Sequence, residues 1–255
     1  MKISLITVCY NSAATIRDTI NSVLSQTYEN IEYIVVDGGS TDGTQEIIMN
    51  YELQIKSDFP NVVFKWISEK DNGLYDAMNK GIKMATGDVV GFLNSDDLFY
   101  DNCVVEKVMN AFAENPNADA VYADLFYVTH NDTGKIVRKW ITGKQHPFCK
   151  GWHPAHPTFY VKKEIYNKAG LFNLDFRLAA DFEIMLRFIE KYKISLYYLK
   201  ESLVKMRLGG TTNKSIKNII NQNIECIKAF KKNQIWVNSF LYPIVRIIPK
   251  LKQYK

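Results

Sequence analysis

The chain predicts an α/β fold, a doubly wound and mostly parallel sheet with helices on both faces. Three observations predict it. Strand and helix patterns alternate through the first hundred residues. The strand runs are continuously apolar, as parallel strands covered on both faces require. Short polar or acidic clusters follow the first, second and fourth of these runs, at the edge where open sheets of this kind bind ligands.

Residues 3–8 form the first strand run. Its apolar core is short and leads directly into Asn11 and a helical pattern, so it reads as a buried strand rather than a signal peptide. Asn11 or Ser12 is placed to cap a helix whose apolar positions are Ile16, Ile20, Val23 and Leu24. Residues 31–36 are a second strand ending in Asp37-Gly38-Gly39-Ser40-Thr41-Asp42-Gly43, and 44–51 a helix. A third strand at 62–67, a helix at 74–84 and a fourth strand at 89–93 follow, the last stopping at Asn94-Ser95-Asp96-Asp97. The second half is less regular. It predicts a helix over 103–113, strands over 120–128 and 136–141, and a loop over 143–157. A helix over 182–192 opened by Asp181, a short strand over 195–199 and a long amphipathic helix over 216–230 complete it. The isoleucines of that last helix are expected to pack on the core. The simplest organisation is one domain over 1–210 with a C-terminal helical appendage over 211–255.

At 255 residues, 47% apolar and 23% charged, the composition is that of a globular protein with a full core. Four scattered cysteines with no C-x-x-C pair argue against a zinc site or a disulfide framework and fit a reducing compartment. No run reaches the roughly 18 apolar residues of a membrane span, so a cytoplasmic protein is expected. The net charge of +5 is uneven. Residues 226–255 hold seven basic residues and no acid, leaving 25 basic and 27 acidic residues in 1–225. The tail's basic residues interleave with Trp236, Phe240, Leu241, Ile244, Val245, Ile247 and Ile248, which suits a membrane surface better than nucleic acid.

The chemistry is expected where the clusters converge. Asp37–Gly43 lacks the spacing of a dinucleotide fingerprint and is acidic where a pyrophosphate needs N–H donors. It reads either as a glycine-rich turn or as a strand-end carboxylate that accepts hydrogen bonds from a base or ribose. Asp96-Asp97 is the stronger signal, because adjacent carboxylates repel unless a cation lies between them. Hard oxygen ligands suit Mg²⁺ or Mn²⁺, which commonly join one or two carboxylates to substrate phosphates. A solvated turn is the other reading of that pair.

Four segments then carry a resemblance: S-L-I-T-V-C-Y-N at 4–11, D-G-G-S-T-D-G-T at 37–44, D-N-G-L-Y-D-A-M-N-K-G at 71–81 and G-D-V-V-G-F-L-N-S-D-D at 87–97. In order and spacing they resemble the family 2 glycosyltransferases, over roughly residues 3–210. The resemblance implies the GT-A fold, an inverting mechanism, a nucleotide-sugar donor and a divalent cation, Mn²⁺ or Mg²⁺. It assigns Thr7, Tyr10, Asn11, Asp37 and Gly39 to the nucleoside, with Asp37 facing the base. Asp71, Asp76 and Lys80 would line the sugar-diphosphate region. Asn94-Ser95-Asp96-Asp97 matches the family's D-x-D motif with Asn94 in place of the first Asp, which leaves Asp96 and Asp97 for the metal and Asn94 and Ser95 for the nucleotide sugar. Asp181 matches the family's general base, with Ala180 where an acid commonly precedes it. Arg207, in Arg207-Leu208-Gly209-Gly210-Thr211, would pair with the leaving group from a loop near the diphosphate. His156, and with it His153, are acceptor-side candidates. An H-x-x-H zinc site is disfavoured by the prolines between and after them. Relatives of this size commonly extend lipid-diphosphate-linked glycans for bacterial surface polysaccharides, including lipopolysaccharide. A sugar nucleotide, a lipid-linked or oligosaccharide acceptor and the inner face of the cell membrane are therefore the expected partners. A sugar-phosphate nucleotidyltransferase would carry a basic glycine-rich signature that 9–17 lacks, and a binding module without catalysis would need neither the metal turn nor Asp181.

Overall fold

The computed structural model describes residues 1–209 and 216–247. Gly210, Thr211 and Ile248, singled out above, and three of the tail's basic residues, Lys250, Lys252 and Lys255, lie outside the described residues.

The first half folds as its patterning requires. Strands β1 (Ile3–Cys9), β2 (Ile31–Asp37), β3 (Val63–Ser68) and β4 (Val89–Phe92) pair in parallel in the order β3-β2-β1-β4. Helices α1 (Ile16–Leu24), α2 (Thr44–Asp58) and α3 (Leu74–Met84) make the crossovers. Beyond β4 come β5 (Leu98–Phe99), α4 (Val104–Glu114), β6 (Ala120–Val128), β7 (Ile136–Trp140), β8 (Tyr160–Lys162), α5 (Lys163–Ala169), α6 (Ala180–Leu186) and β9 (Leu196–Arg207). The sheet continues as β4-β8-β6-β9-β5, with β7 paired to β6. β8 runs antiparallel to both neighbours, whereas β6 and β9 are parallel. The sheet is thus parallel in its N-terminal half and mixed beyond.

Alternate residues of each central strand supply two cores. Ile3, Leu5, Tyr33 and Val35 face α1, α2 and α4. Ile6, Val8, Ile34 and Val36 face α3, α5 and α6. Helices α7 (Ile216–Lys232) and α8 (Tyr242–Val245) belong to the second core through Cys226, Ala229, Phe230 and Tyr242. A large apolar side chain so buried, such as Phe230, contributes roughly 1.5–3 kcal/mol. Among the described residues no separate core therefore marks off 216–247; this part of the expected appendage is docked on the body.

Several elements differ from the sequence expectation for physical reasons. α2 runs past Tyr51 to Asp58, because buried Ile55 continues the apolar stripe of Ile48 and Tyr51 through polar turns. β9 extends from the expected 195–199 to Arg207, with register shifts against Tyr122–Leu125 that accommodate polar Lys200 and Glu201. The helix expected over 182–192 starts at Ala180 and changes to a wider turn over Arg187–Lys191, where Tyr192 N donates to Arg187 O at 2.9 Å. The isoleucines of α7 are not all core: Ile219, Ile220 and Ile224 are exposed. No helix among the described residues is long and apolar enough to cross a membrane.

Candidate functional site

The loops after β1, β2 and β4 are stitched together at the carboxyl ends of the strands. Asn11, held at a positive φ of 49°, donates its N–H to Ser40 Oγ (2.7 Å) and accepts the Thr41 N–H on its side chain (3.0 Å). Ser12 N donates to Thr44 Oγ1 (2.8 Å), Ala13 N to Asp42 Oδ2 (3.0 Å), and Ser12 Oγ lies 2.9 Å from Ser95 Oγ. These bonds spend the groups expected to cap α1, so the turn into that helix closes instead on the Ser12 carbonyl, which accepts from Thr15 N and Ile16 N.

Asp37 is fully buried beneath this loop. Its Oδ2 accepts from Gly39 N (3.2 Å), Ser40 N (3.0 Å) and Ser68 Oγ (2.6 Å), and its Oδ1 from Ser40 Oγ. A carboxylate so engaged fixes the turn, in which Gly39 holds a φ of +81° that a side chain would strain. Gly38 is a close approach: a Cβ there would sit 2.8 Å from Asp71 Oδ2 and 3.3 Å from the Tyr10 ring. Tyr10, two-thirds exposed, and Asp71 therefore both lie against bare backbone at Gly38. Asp71 Oδ1 accepts the Gly73 N–H at 3.0 Å, and Asp76 Oδ2 the Asn72 N–H at 2.9 Å, shaping the start of α3. Lys80, one turn on, pairs with Glu69 at 2.9 Å. Thr7 does not reach the rim. It is fully buried, its hydroxyl donating to Leu93 O (2.8 Å) and accepting from Tyr33 OH (3.1 Å), so it holds the end of β4 instead of a ligand.

At the turn after β4 the two carboxylates are not equivalent. Asp96 is partly exposed, whereas Asp97 is buried, its Oδ1 accepting from Arg207 N (3.3 Å) and its Oδ2 from Asn94 Nδ2 (3.1 Å). Burial first, and then the neighbouring Asp96, push the Asp97 carboxyl well above the usual range, against the pull of Asn94 and Arg207. Asn94 Oδ1 is buried with no hydrogen-bond partner among the described residues. Among these residues no three His, Cys, Asp or Glu side chains gather as a metal cluster. The set at the turn, Asp96 in front, Asp97 behind and an unpartnered amide oxygen beside them, consists of hard oxygens. It fits a Mg²⁺ or Mn²⁺ ion that also draws on substrate phosphates.

Arg207 is not aimed at a leaving group. Its guanidinium is buried under the turn, donating to the Asp96 carbonyl (2.8 Å) and the His130 carbonyl (3.3 Å) and pairing with Asp18 at 2.5 Å. The ends of β9 and β6 and the first turn of α1 are thereby locked beneath Asp96 and Asp97. Thr19 adds a bond from its hydroxyl to the Asp97 carbonyl at 2.8 Å.

Asp181 is the second residue of α6 and accepts the Phe182 N–H at 2.7 Å. Its Oδ1 also accepts from Tyr75 OH, in the first turn of α3, at 3.2 Å. His156 lies close by, its ring between those of Phe92 (5.2 Å) and Phe172 (5.6 Å). Burial holds the His156 pKa below the ordinary value, although nearby Asp181 opposes this. The neutral imidazole therefore prevails at pH 7. His153 is set back among Trp140, Phe148 and Phe182, its Nδ1 2.8 Å from the Pro154 carbonyl. Sequence reasoning missed Tyr75, Asp18 and Thr19. Tyr75 sits inside the 71–81 segment but reads as a core position.

A sheet of this order, with a carboxylate turn at the end of its fourth strand, is the GT-A architecture. The glycosyl transferase family 2 profile matches residues 4–178, and the chain belongs to that family. An uncharacterized glycosyltransferase of Mycobacterium tuberculosis is 33% identical over 192 residues, covering 72% of this chain and 68% of its own. A glycosyltransferase of PGL/p-HBAD biosynthesis from Mycobacterium bovis is 27% identical over 220 residues, 82% of this chain and 78% of its own. Among solved structures, a mannosyltransferase from Pyrobaculum calidifontis, in complex with GDP-Man and Mn²⁺, superposes with a TM-score of 0.68 at 17% identity, over 98% of this chain and 69% of its own. S. aureus TarS in complex with UDP-GlcNAc gives 0.63 at 18% identity, over 96% and 70%. These two share the fold. The nucleotidyltransferase and the binding module fall away, and the chain is a glycosyltransferase.

Proposed function

We propose that the protein is an inverting, metal-dependent transferase that moves a hexose or aminosugar from a UDP-linked donor to a hydroxyl of a lipid-diphosphate-linked glycan in surface polysaccharide synthesis. The observation that carries the reading is the Tyr75–Asp181 hydrogen bond. It joins the family's 71–81 segment to a carboxylate 106 residues away. Asp181 takes the proton of the acceptor hydroxyl as that oxygen attacks the anomeric carbon. The bond from this carbon to the diphosphate breaks on the opposite face, and the configuration inverts. Asp96 and Asp97, with Asn94, would hold the ion, which when bound neutralises charge on the departing diphosphate. Tyr10, Asn11, Gly39, Asp71 and Ser95 line the nucleotide side, Asp37 shapes it from below, and Asp76 and Lys80 stand toward the diphosphate. His156 faces the acceptor beside Asp181.

A lipid-linked acceptor is supported by the C-terminal surface. Trp236 and Phe240 are 79% and 92% exposed, and Leu241, Ile244 and Ile247 are exposed beside them. Lys228 and Lys231 are exposed nearby, and anionic lipids attract such residues at about 1 kcal/mol each. Peripheral attachment to the inner membrane face follows from this reading. Removing all of 233–255 would also strip Tyr242 from the core, so point variants are the sharper probe. Trp236→Ser with Phe240→Ser should abolish salt-sensitive binding to anionic vesicles, and unchanged binding would sink the membrane reading. For the reaction itself, a panel of UDP-, GDP- and dTDP-sugars with and without Mn²⁺ identifies the donor. Wild-type transfer by Asp181→Ala or Asp96→Ala would overturn the assignment.

A further inference from the structure

The segment that delivers Asp181 has no regular structure between α5 and α6, yet its N–H groups need partners. They are held from outside. Glu225, on α7, accepts from Leu178 N (2.8 Å) and Ala179 N (2.9 Å) on Oε2 and from Arg177 N (3.2 Å) on Oε1. Ala179 is the residue from which α6 starts, so the carboxylate secures the point where the chain enters the helix. Charge-assisted bonds of this kind are about twice as strong as neutral ones.

The same region grips the segment elsewhere. Lys232 pairs with Asp175 at 2.6 Å, and Lys228 donates to the Asp175 carbonyl at 3.2 Å. Past Asp181, Asn233 donates to Glu183 Oε1 at 2.9 Å, and the Phe230 ring lies 5.7 Å from that of Phe182. Asp181 thus stands between anchors at 175–179 and at 182–183, all supplied by α7 and the residue after it. Tyr75 holds the carboxylate itself.

We infer that Glu225 is the positioning residue for Asp181: by fixing the turn at 177–179 it sets the place from which that carboxylate reaches the acceptor hydroxyl. The inference rests on the reading of Asp181 as general base. It makes the C-terminal helix a working part of the transferase, reaching the site through one acid.

The test measures Glu225→Ala, Glu225→Gln and Glu225→Asp beside Asp181→Asn, with the donor that the wild-type protein turns over in the sugar-nucleotide panel. Glu225→Ala should lower kcat for transfer roughly 10- to 100-fold, as small displacements of a reacting group do. Donor KM should stay within about twofold, since donor binding is untouched. Glu225→Gln keeps one oxygen for Leu178 and Ala179 and should recover part of the rate, which a general loss of folded protein would not produce. Hydrogen exchange, which needs no substrate, should show faster exchange at 177–182 in Glu225→Ala with β1–β4 unchanged. Should the alanine variant fail to fold, Glu225→Gln and Glu225→Asp carry both readouts. Wild-type kcat, or unchanged exchange at 177–182, in folded variants overturns the inference. Full transfer by Asp181→Asn would instead remove the base assignment, whereas a dead Asp181→Asn beside fully active Glu225 variants refutes only the role of Glu225.

Discussion

Replacing Arg207 with alanine separates two roles for one guanidinium. As a partner of the leaving diphosphate, it would govern donor affinity and leave the apoprotein's stability alone. The geometry instead gives it structural partners: the Asp96 carbonyl at 2.8 Å, the His130 carbonyl at 3.3 Å and Asp18 at 2.5 Å. The Asp18 pair contributes little, because Asp18 is 53% exposed and water can replace its partner. The two carbonyls and the cavity left by a side chain that is 5% exposed carry the cost, together about 3 kcal/mol. For a chain of 255 residues that corresponds to a fall in Tm of roughly 6–12 °C. Differential scanning calorimetry of the apoprotein reads the effect directly, and Asp18→Asn should lower Tm by only a degree or two. An Arg207→Ala protein as stable as wild type, with a raised donor KM as its only defect, would refute the clamp and restore the leaving-group role.

Tyr75→Phe removes the hydroxyl that donates to Asp181 at 3.2 Å; steady-state kinetics should show kcat for transfer falling about fivefold with donor KM unchanged. Asp97→Asn removes a buried carboxyl held well above its usual pKa by burial and by Asp96, so thermal unfolding should show Tm rising while Mn²⁺-supported turnover falls. A fall in Tm would contradict the argument. Glu32, fully buried, would be raised by burial alone, but bonds from Lys65, Ser4 and Thr86 outweigh this and bring it to about 2 from 4.5. Its folded value is the lower one, so its stabilisation is complete above pH 4.5 and is lost as pH falls toward 2. Denaturant melts across that window should lose up to about 3 kcal/mol from this group, a loss that Glu32→Gln should not show.

The parallel half of the fold was legible because its signals are local. Alternate residues of 3–9 and 31–37 are apolar toward both cores, and α3 has the same ends in pattern and in space. What could not be read depends on partners far along the chain. β8 is three residues long and exists because Val89 and Val90 on one side and Ala120 and Val121 on the other present ladders to it. β9 passes through Lys200 and Glu201, which no strand pattern would include, because β6 pairs with it on both sides of them, up to Tyr198 and again from Ser202. The isoleucines of α7 follow helical spacing whichever side faces inward. Spacing alone could not tell that Cys226, Ala229 and Phe230 take the core side while Ile219, Ile220 and Ile224 face out.

For the site, sequence order located the segments but not the direction of each side chain. Thr7, Asp37 and Arg207 lie in the expected places, yet each turns its polar atoms inward and builds the frame that others stand on. Side-chain direction follows from burial. Thr7 is in the middle of a strand with Tyr33 and Leu93 as neighbours, and Arg207 ends a strand that pairs with β6 directly below the carboxylate turn. In both cases an inward polar group is tolerated because its bonds are complete, which is what a buried group requires. The two carboxylates of the turn divide by the same logic. With Arg207 and Thr19 occupying the space behind Asp97, only Asp96 remains partly open to a ligand, and Asn94 Oδ1 is left buried without a donor. A turn that strands one acceptor and crowds two carboxylates costs free energy. Its cost is carried by the clamp beneath it, so removing that clamp should loosen the turn before it changes any contact with substrate.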